Sequence, residues 1–292
     1  MSEAAPDYRA TSFWLETCGD DLTPRRLLQG DAEADVAILG AGLTGLWTAY
    51  ELQRREPAFR IVILERDIAG FGASGRNGSW CVPDLNISLP MLARRFGTSA
   101  ARATQQATYD AVDEVGRVCA EEGLDGGYVR GGALFVARGA QQLPDLHASY
   151  ETYVRFGFGE RYQLLDAAAT RSRVDVAGAV AGLATPDGAV VHPGRLVRNL
   201  AHLVERRGAT IHEGTAVTAF AGRGEDRAWP DHAVLRTAHG TVRAGTIVLA
   251  GEAYLTGLRR LHRQLIPVYS LIVLTEPLSD EQWAAIGWQA RQ

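Results

Sequence analysis

The chain has 292 residues, of which 46% are hydrophobic and 22% are charged, a globular composition long enough for one large domain or two smaller ones. All 30 basic residues are arginine, so the chain has no lysine to form a pyridoxal Schiff base or to complete a P-loop. Because 34 acidic residues give a net charge of −4, there is no basic excess to attract nucleic acid or anionic lipid.

The cysteines and the N-terminus favour a reducing, cytoplasmic setting. Cys18, Cys81 and Cys119 are far apart in the sequence, so neither a zinc site nor a disulfide framework is predicted. No basic stretch followed by an apolar one marks a signal peptide at the start. No apolar run approaches the roughly 20 residues that span a bilayer. We therefore expect no metal, no membrane and no nucleic-acid partner.

The first third of the chain predicts a βαβ unit. Residues 1–33 are polar and irregular and are expected to form an N-terminal arm. Residues 35–39 are a short apolar run, typical of a buried parallel strand. A glycine-rich turn at residues 40–45 leads into a helix over residues 46–55, and residues 60–65 form the next buried strand. Strand, glycine turn, helix and strand in about 30 residues are typical of this unit.

Helical and strand-like segments alternate after a glycine-rich loop at residues 68–80. Helices are predicted over residues 89–122, 140–156 and 193–207. Strands are predicted over residues 127–138, 161–165, 179–185, 210–211, 216–219, 233–237, 246–250 and 268–275. The alternation indicates an α/β fold.

Three glycines have the spacing of a dinucleotide-binding turn. Gly40, Gly42 and Gly45 lie between the first predicted strand and helix, where glycine permits a tight bend and close approach of the backbone to a diphosphate. The first N–H groups of the helix favour that anion. Glu65 ends the next strand, where it can accept hydrogen bonds from both ribose hydroxyls and would repel the 2′-phosphate of NADP. The alternative is a glycine-rich turn in a non-binding α/β unit.

A second glycine-rich loop, at residues 72–78, follows this acid closely. Its backbone amides and Ser74 can meet phosphates, and Arg76 can offset their charge. Two such loops suit a long, doubly charged cofactor. Periodicity alone leaves both NAD and FAD open, and a solvated surface turn is the alternative for this loop.

Residues 35–65 and 72–78 together resemble the D-amino-acid oxidase-like superfamily of FAD-dependent oxidoreductases. Residues 12–15 and 45–50 are most similar to the gamma-glutamylputrescine oxidoreductases within that family. Weaker similarity extends over residues 188–196, 215–217, 247–251 and 267–277. The resemblance implies a Rossmann-like FAD-binding domain of the GR2 type. It also implies an interleaved α+β substrate domain whose sheet is mostly antiparallel.

The resemblance further implies a domain division and a set of FAD-binding residues. The FAD-binding domain would comprise residues 34–88 and 186–255, and the substrate domain residues 89–185 and 256–292. The residues implied to bind FAD are Gly40, Ala41, Gly42, Leu43, Thr44, Gly45, Glu65, Arg66, Gly72, Ala73, Ser74, Arg76, Asn77, Val217, Ala250 and Gly251.

The implied reaction is the oxidation of a carbon–nitrogen bond in an amine or amino acid. A hydride would pass from the carbon to flavin N5, and water would hydrolyse the resulting imine. No catalytic residue is predicted, because His192, the most tempting base, is interpreted as a loop residue before a helix-start proline.

Members of the family are usually longer, and their C-terminal stretch returns to the FAD-binding domain. No such stretch follows Gly251, so we expect the site to need a missing C-terminal segment or a partner chain. Three hypotheses stay open at this point. The chain is an FAD-dependent amine or amino-acid oxidase or dehydrogenase, an FAD-binding fragment without catalysis of its own, or an NAD-dependent dehydrogenase.

Overall fold

The computed structural model describes residues 6–288. Helices α1 to α8 are Phe13–Glu16, Leu43–Arg55, Leu89–Phe96, Thr98–Glu121, Leu143–Arg155, Ala167–Arg173, Pro193–Arg206 and Asp280–Ile286. Strands β1 to β12 are Ala32–Leu39, Ile61–Leu64, Trp80–Cys81, Val129–Arg130, Ala133–Ala137, Gln163–Asp166, Ala181–Thr185, Ala189–Val190, Thr210–His212, Val217–Ala221, Ala233–Thr237 and Thr241–Leu249. Within this part of the chain, no helix is long and apolar enough to span a membrane.

The chain folds into two compact units. Among the described residues, the first unit contains residues 6–78, Leu124–Gly126 and His192–Ile272. The second unit contains Ser79–Gly123, Gly127–Val191 and residues 273–288. An α/β unit followed by one with antiparallel sheets confirms the predicted fold class.

The unit boundaries differ from the predicted domain boundaries at several places, and Leu124–Gly126, predicted within the substrate domain, group with the first unit. Residues 79–88 and 186–191 group with the second unit, because β3 and β8 pair there in an antiparallel sheet. Residues 256–272 group with the first unit, as does the N-terminal arm. The assignment of cofactor and substrate roles to these units stays a prediction.

The first unit is built on a six-stranded sheet in the order β10-β11-β12-β1-β2-β9. The strands β12, β1, β2 and β9 are parallel, and β10, β11 and β12 are antiparallel neighbours. Helices α2 and α7 pack against each other, and the buried Gln53 amide of α2 donates to the carbonyl oxygen of Val204 at 2.9 Å. The predicted strand–turn–helix–strand unit is confirmed as β1, the glycine turn, α2 and β2.

The N-terminal arm is more ordered than its irregular sequence indicates. The Ser12 hydroxyl caps α1, and Leu15 on that helix is fully buried in an apolar cluster with Ile68. An ion network also fixes the arm, because the buried Arg198 of α7 donates to Asp20 at 2.6 Å.

The second unit has two three-stranded antiparallel sheets, ordered β3-β8-β4 and β5-β7-β6. The predicted helix over residues 89–122 is two helices, α3 and α4. They are separated at Gly97, whose φ of +89° lies in the left-handed region that interrupts an α-helix. Tyr109 of α4 packs in a buried cluster with Phe156, Phe158 and Tyr162.

The predicted strand over residues 268–275 is wrong. This segment has no regular secondary structure, and Leu271 and Val273 are 90% and 91% exposed. Its β-branched and apolar residues have a high strand propensity, but a strand needs a neighbour to satisfy its backbone groups. No strand among residues 6–288 pairs with it.

Candidate functional site

The glycine turn between β1 and α2 is too crowded for side chains. Gly40 has a φ of +104°, and a Cβ there would lie 2.5 Å from the carbonyl oxygen of Ala250. A Cβ at Gly45 would lie 2.0 Å from the carbonyl oxygen of Gly40. Gly42 is the N-cap of α2, so the backbone N–H groups that follow belong to the helix's first turn. Glycine at positions 40 and 45 therefore lets the turn pack against the end of β12 and lets α2 begin close to the end of β1.

The Glu65 carboxylate lies directly against this turn. Its Oε2 accepts a hydrogen bond from the backbone N–H of Ala41 at 2.9 Å, and its Oε1 accepts one from that of Asp67 at 3.0 Å. Burial raises the pKa of the Glu65 carboxyl from its ordinary value, while these two backbone donors act in the opposite direction. A carboxylate has about four acceptor positions. Two donors thus leave Glu65 able to accept from hydroxyls such as those of a ribose.

The second glycine loop docks onto the first. The Ser74 hydroxyl accepts a hydrogen bond from the N–H of Leu43 at 2.8 Å, at the start of α2. The N–H of Gly70 donates to the carbonyl oxygen of Ala41 at 3.0 Å. A Cβ at Gly75 would lie 2.2 Å from the carbonyl oxygen of Gly70, so the loop is itself tightly wound. These contacts bring residues far apart in sequence to the N-terminal end of α2.

Arg76 and Asn77 lie within this loop and have different surroundings. The Asn77 side-chain amide donates to the carbonyl oxygens of Ser74 at 3.0 Å and Ala73 at 3.3 Å, which stiffens the loop. The Arg76 guanidinium lies over the Phe71 ring at 4.7 Å. The face of the Phe71 ring therefore holds the Arg76 guanidinium beside the glycine loop.

Ala250 and Gly251, predicted from the later strands, lie beside the turn, and Val217 follows a segment that contacts Glu65. The N–H of Ala250 donates to the carbonyl oxygen of Leu39 at 2.8 Å, which places the end of β12 beside the end of β1. A Cβ at Gly251 would lie 2.8 Å from a methyl of Leu39. The N–H of Thr215 donates to the carbonyl oxygen of Glu65 at 2.8 Å, and Val217 begins β10 two residues later.

The structure thus gathers the predicted cofactor residues within the first unit. The closest contacts join residues 40–45, Glu65, residues 72–77 and residues 250–251. Thr44 lies in the first turn of α2, with its carbonyl oxygen accepting from Thr48. For Arg66, the structure gives an ion pair with Asp67 at 2.9 Å. The assignment of each residue to a part of FAD stays a prediction.

Sequence reasoning missed Tyr254. This tyrosine follows the glycine at the end of β12 and accepts a hydrogen bond from Arg76 Nη2 at 2.7 Å through its hydroxyl. Its ring also lies 4.8 Å from the guanidinium carbon of Arg66. The sequence feature that could have indicated Tyr254 is an aromatic residue shortly after Gly251, the glycine that follows β12.

His192 caps a helix. Its Nδ1 accepts a hydrogen bond from the N–H of Arg195 at 3.1 Å, at the start of α7. Burial, and then the nearby Arg195 charge, hold the pKa of His192 below its ordinary value, which keeps the accepting nitrogen unprotonated. Within residues 6–288, no group of three or more histidine, cysteine or acidic side chains could hold a metal ion.

The arrangement combines what an adenosine diphosphate group requires. Backbone donors at a helix N-terminus and a cation attract the diphosphate. A carboxylate at the end of the second strand accepts from ribose hydroxyls. The residues present therefore fit a dinucleotide whose diphosphate lies at the glycine turn.

Comparison with known proteins points in the same direction. Residues 35–292 match the protein family described as "DAO: FAD dependent oxidoreductase". Gamma-glutamylputrescine oxidoreductase from Escherichia coli is 30% identical over 273 residues, which are 93% of this chain and 62% of the relative. Sarcosine dehydrogenase from Mus musculus is 24% identical over 259 residues, which are 85% of this chain and 26% of the relative.

The fold has counterparts among solved structures. Glycine oxidase from Geobacillus kaustophilus superposes with a TM-score of 0.61 and 24% identity, over 78% of this chain and 57% of that one. The chain therefore spans less than two thirds of the length of these relatives.

Proposed function

The chain belongs to the DAO family of FAD-dependent oxidoreductases, and from this premise we propose that it binds FAD and oxidises a carbon–nitrogen bond of an amine or amino acid. The observation that carries the proposal is the Glu65 carboxylate bonded to the N–H of Ala41 inside the glycine turn. This contact puts an acceptor for ribose hydroxyls beside backbone donors for a diphosphate.

Each part of the turn has a task toward the cofactor. Gly40 and Gly45 allow the tight packing of the turn, and the N–H groups in the first turn of α2, other than that of Leu43, which donates to Ser74, would donate to the diphosphate. Glu65 holds the ribose. Arg76 offsets the diphosphate charge, since the structure gives it no carboxylate partner within residues 6–288. These residues bind and orient the cofactor.

Bound FAD supplies a two-electron acceptor, so that the substrate loses a hydride from the carbon next to its nitrogen and becomes an imine that water hydrolyses. The name of the Escherichia coli relative supports an amine-type substrate. The absence of lysine removes one kind of side chain from the neighbourhood of the flavin. Both an oxidase and a dehydrogenase remain compatible with the residues, and the assay below separates them.

The exposed apolar segment at residues 265–274 supports a further proposal about assembly. Ile266, Val268, Leu271 and Val273 all expose most of their side chains. Such contiguous apolar surface marks a contact site. The relatives extend beyond the matched region. A further polypeptide segment, or a partner chain, is therefore proposed to cover these residues and to complete the substrate site.

The proposal is tested by reconstitution with FAD and anaerobic reduction by amines. The purified chain is expected to bind FAD, and its flavin absorbance near the visible maximum should bleach with at least one member of a panel of primary and secondary amines and amino acids. Oxygen consumption against dye reduction then distinguishes oxidase from dehydrogenase. A protein that binds no FAD would overturn the proposed function. Flavin that binds but is bleached by no amine would identify the chain as a binding fragment that needs its partner.

We propose a reducing, cytoplasmic setting for the chain. The three cysteines are free thiols in the structure, and a reducing compartment stays the prediction drawn from their spacing. Fractionation of cells that express the native gene, with the chain detected by antibody, would place it directly.

A further inference from the structure

Tyr254 connects residues that the cofactor site needs but that lie on different segments. It lies in the 3-10 turn Glu252–Gly257, directly after the end of β12. Its hydroxyl accepts a hydrogen bond from Arg76 Nη2 at 2.7 Å, and its ring lies 4.8 Å from the guanidinium carbon of Arg66. A Cβ at Gly72 would lie 3.3 Å from the same ring. One side chain, 45% exposed, thus touches both arginines and the glycine loop.

The backbone that presents Tyr254 is held in an uncommon conformation. Glu252 has a φ of +49°, in the left-handed region that residues other than glycine rarely adopt. Such residues persist where the surrounding structure over-determines them, and they cluster at functional sites. Here the turn brings the tyrosine back over the glycine loop.

The two arginines differ in how their charge is balanced. Arg66 forms an ion pair with Asp67 at 2.9 Å. Arg76 interacts with the Tyr254 hydroxyl, with the Phe71 ring and, at 3.5 Å, with the carbonyl oxygen of Gly72; none of these carries a negative charge. A fixed cation without a counterion attracts an anion. The glycine loop beside it docks on the N-terminal end of α2, which favours an anion as well.

We propose that Tyr254 is a positioning residue of the cofactor site, which holds the Arg66 and Arg76 guanidinium groups at the glycine loop to receive the diphosphate of FAD. The inference rests on the proposed function for the identity of the ligand. The inference adds Tyr254 to the residues that determine the affinity of the site for the diphosphate. The hydroxyl aligns Arg76 through a hydrogen bond, and the ring aligns Arg66 through a cation–π contact.

The test compares Tyr254→Phe and Tyr254→Leu with the wild-type chain. Tyr254→Phe removes only the bond to Arg76, and Tyr254→Leu removes the ring contact as well. Phe96→Leu is the matched control, because Phe96 is a 66% exposed aromatic residue that lies in the second unit. Dissociation constants for FAD and for ADP are measured on the full chain by calorimetry, and urea unfolding reports stability.

We expect the ADP dissociation constant to rise several-fold in Tyr254→Phe and about tenfold or more in Tyr254→Leu, a loss of the order of one charge-assisted hydrogen bond. Phe96→Leu should leave the ADP dissociation constant unchanged. A double variant, Tyr254→Phe with Arg76→Ala, distinguishes a positioning role from a purely structural one. The quantity compared is the loss of ADP affinity caused by Tyr254→Phe in the presence and in the absence of Arg76. If Tyr254 acts through Arg76, Tyr254→Phe should weaken binding little once Arg76 is removed, so the two losses should not add.

Several outcomes would overturn the inference. Unchanged ADP affinity in Tyr254→Leu would do so, and so would additive losses in the double variant. Tighter binding in Tyr254→Leu would mean that the tyrosine obstructs the site instead. Because ADP binding does not depend on turnover, a chain that binds ADP through Tyr254 but oxidises no amine would refute the proposed reaction alone. A chain that binds neither ADP nor FAD would refute both.

Discussion

Gly45 is the position in the glycine turn that tolerates a side chain least. A Cβ there would lie 2.0 Å from the carbonyl oxygen of Gly40 and 3.2 Å from Cγ2 of Ile38. The first of these atoms is backbone, and Ile38 is fully buried, so neither atom is free to rotate away. Gly45→Ala must therefore push the N-terminal end of α2 away from the end of β1.

The required movement sets the expected size of the effect. Since Cβ atoms essentially never approach another heavy atom more closely than 3.0 Å, the two elements must separate by about 1 Å. Overpacking of this kind costs about 1–3 kcal/mol in a well-packed interior. The gain from a less flexible unfolded chain, about 0.4–1 kcal/mol, offsets only part of it. We expect Gly45→Ala to lower the free energy of unfolding by about 1–2 kcal/mol.

Urea unfolding followed by circular dichroism measures this loss, and FAD titration measures its effect on the site. Gly78→Ala is the matched control, because a Cβ at Gly78 meets no atom within 4 Å. Its free energy of unfolding should stay within about 0.5 kcal/mol of the wild type. If Gly45→Ala unfolds at the same urea concentration as Gly78→Ala and binds FAD equally well, the assigned crowding of the turn is incorrect.

Three further predictions concern the same unit. Gly42→Ala should weaken FAD binding at least tenfold and lower stability by about 1 kcal/mol, because its Cβ would lie 2.8 Å from the Ser74 hydroxyl and displace it from the N–H of Leu43. Arg198→Met should destabilise the chain by about 3 kcal/mol in urea, since Glu213 is fully buried and keeps Arg25 as its remaining cationic partner. The pKa of His192 is lower in the folded chain, so the native state binds fewer protons than the unfolded state. Stability should therefore fall as the pH drops below about 6.5, and His192→Asn should remove this part of the fall.

Each of these predictions has a control and a contradicting result. Gly78→Ala is also the control for Gly42→Ala, and equal FAD affinity in these two variants would contradict the first prediction. Arg259→Met, at an exposed arginine, should unfold like the wild type, and an equal loss in both arginine variants would contradict the second. His147→Asn, at an exposed histidine, should keep the pH dependence of the wild type. An unchanged pH profile in His192→Asn would show that the helix cap is not the titrating contact.

The glycine turn and its acid were predictable because local sequence determines them. Gly40 needs a positive φ, Gly45 needs close packing of helix on strand, and Glu65 lies at the end of a strand that pairs directly with β1. Each of these structural requirements is met by one residue type at a fixed spacing, so it can be recognised in the sequence. The second glycine loop itself indicated Ser74, but the contact of Ser74 with Leu43 depends on how that separate loop docks.

Other features depend on tertiary context that no local pattern contains. Tyr254 reaches Arg76 across 178 positions of sequence, so its role follows from the fold of the whole unit. Residues 268–275 have the composition of a strand, but pairing needs a neighbour that residues 6–288 do not provide. The division at Gly97 was missed because the flanking segments have the same helical composition, and one positive φ ends the first helix.

The FAD dissociation constant of Glu65→Gln, compared with Glu56→Gln, tests the central claim most directly. Glu56 is an exposed carboxylate at the end of the same helix that the glycine turn begins. Hydrogen bonds to a charged group contribute about 1.5–3 kcal/mol. Glu65→Gln should therefore raise the FAD dissociation constant at least about tenfold, and Glu56→Gln should leave it unchanged. Equal affinity in both variants would contradict the assignment of Glu65 to the cofactor.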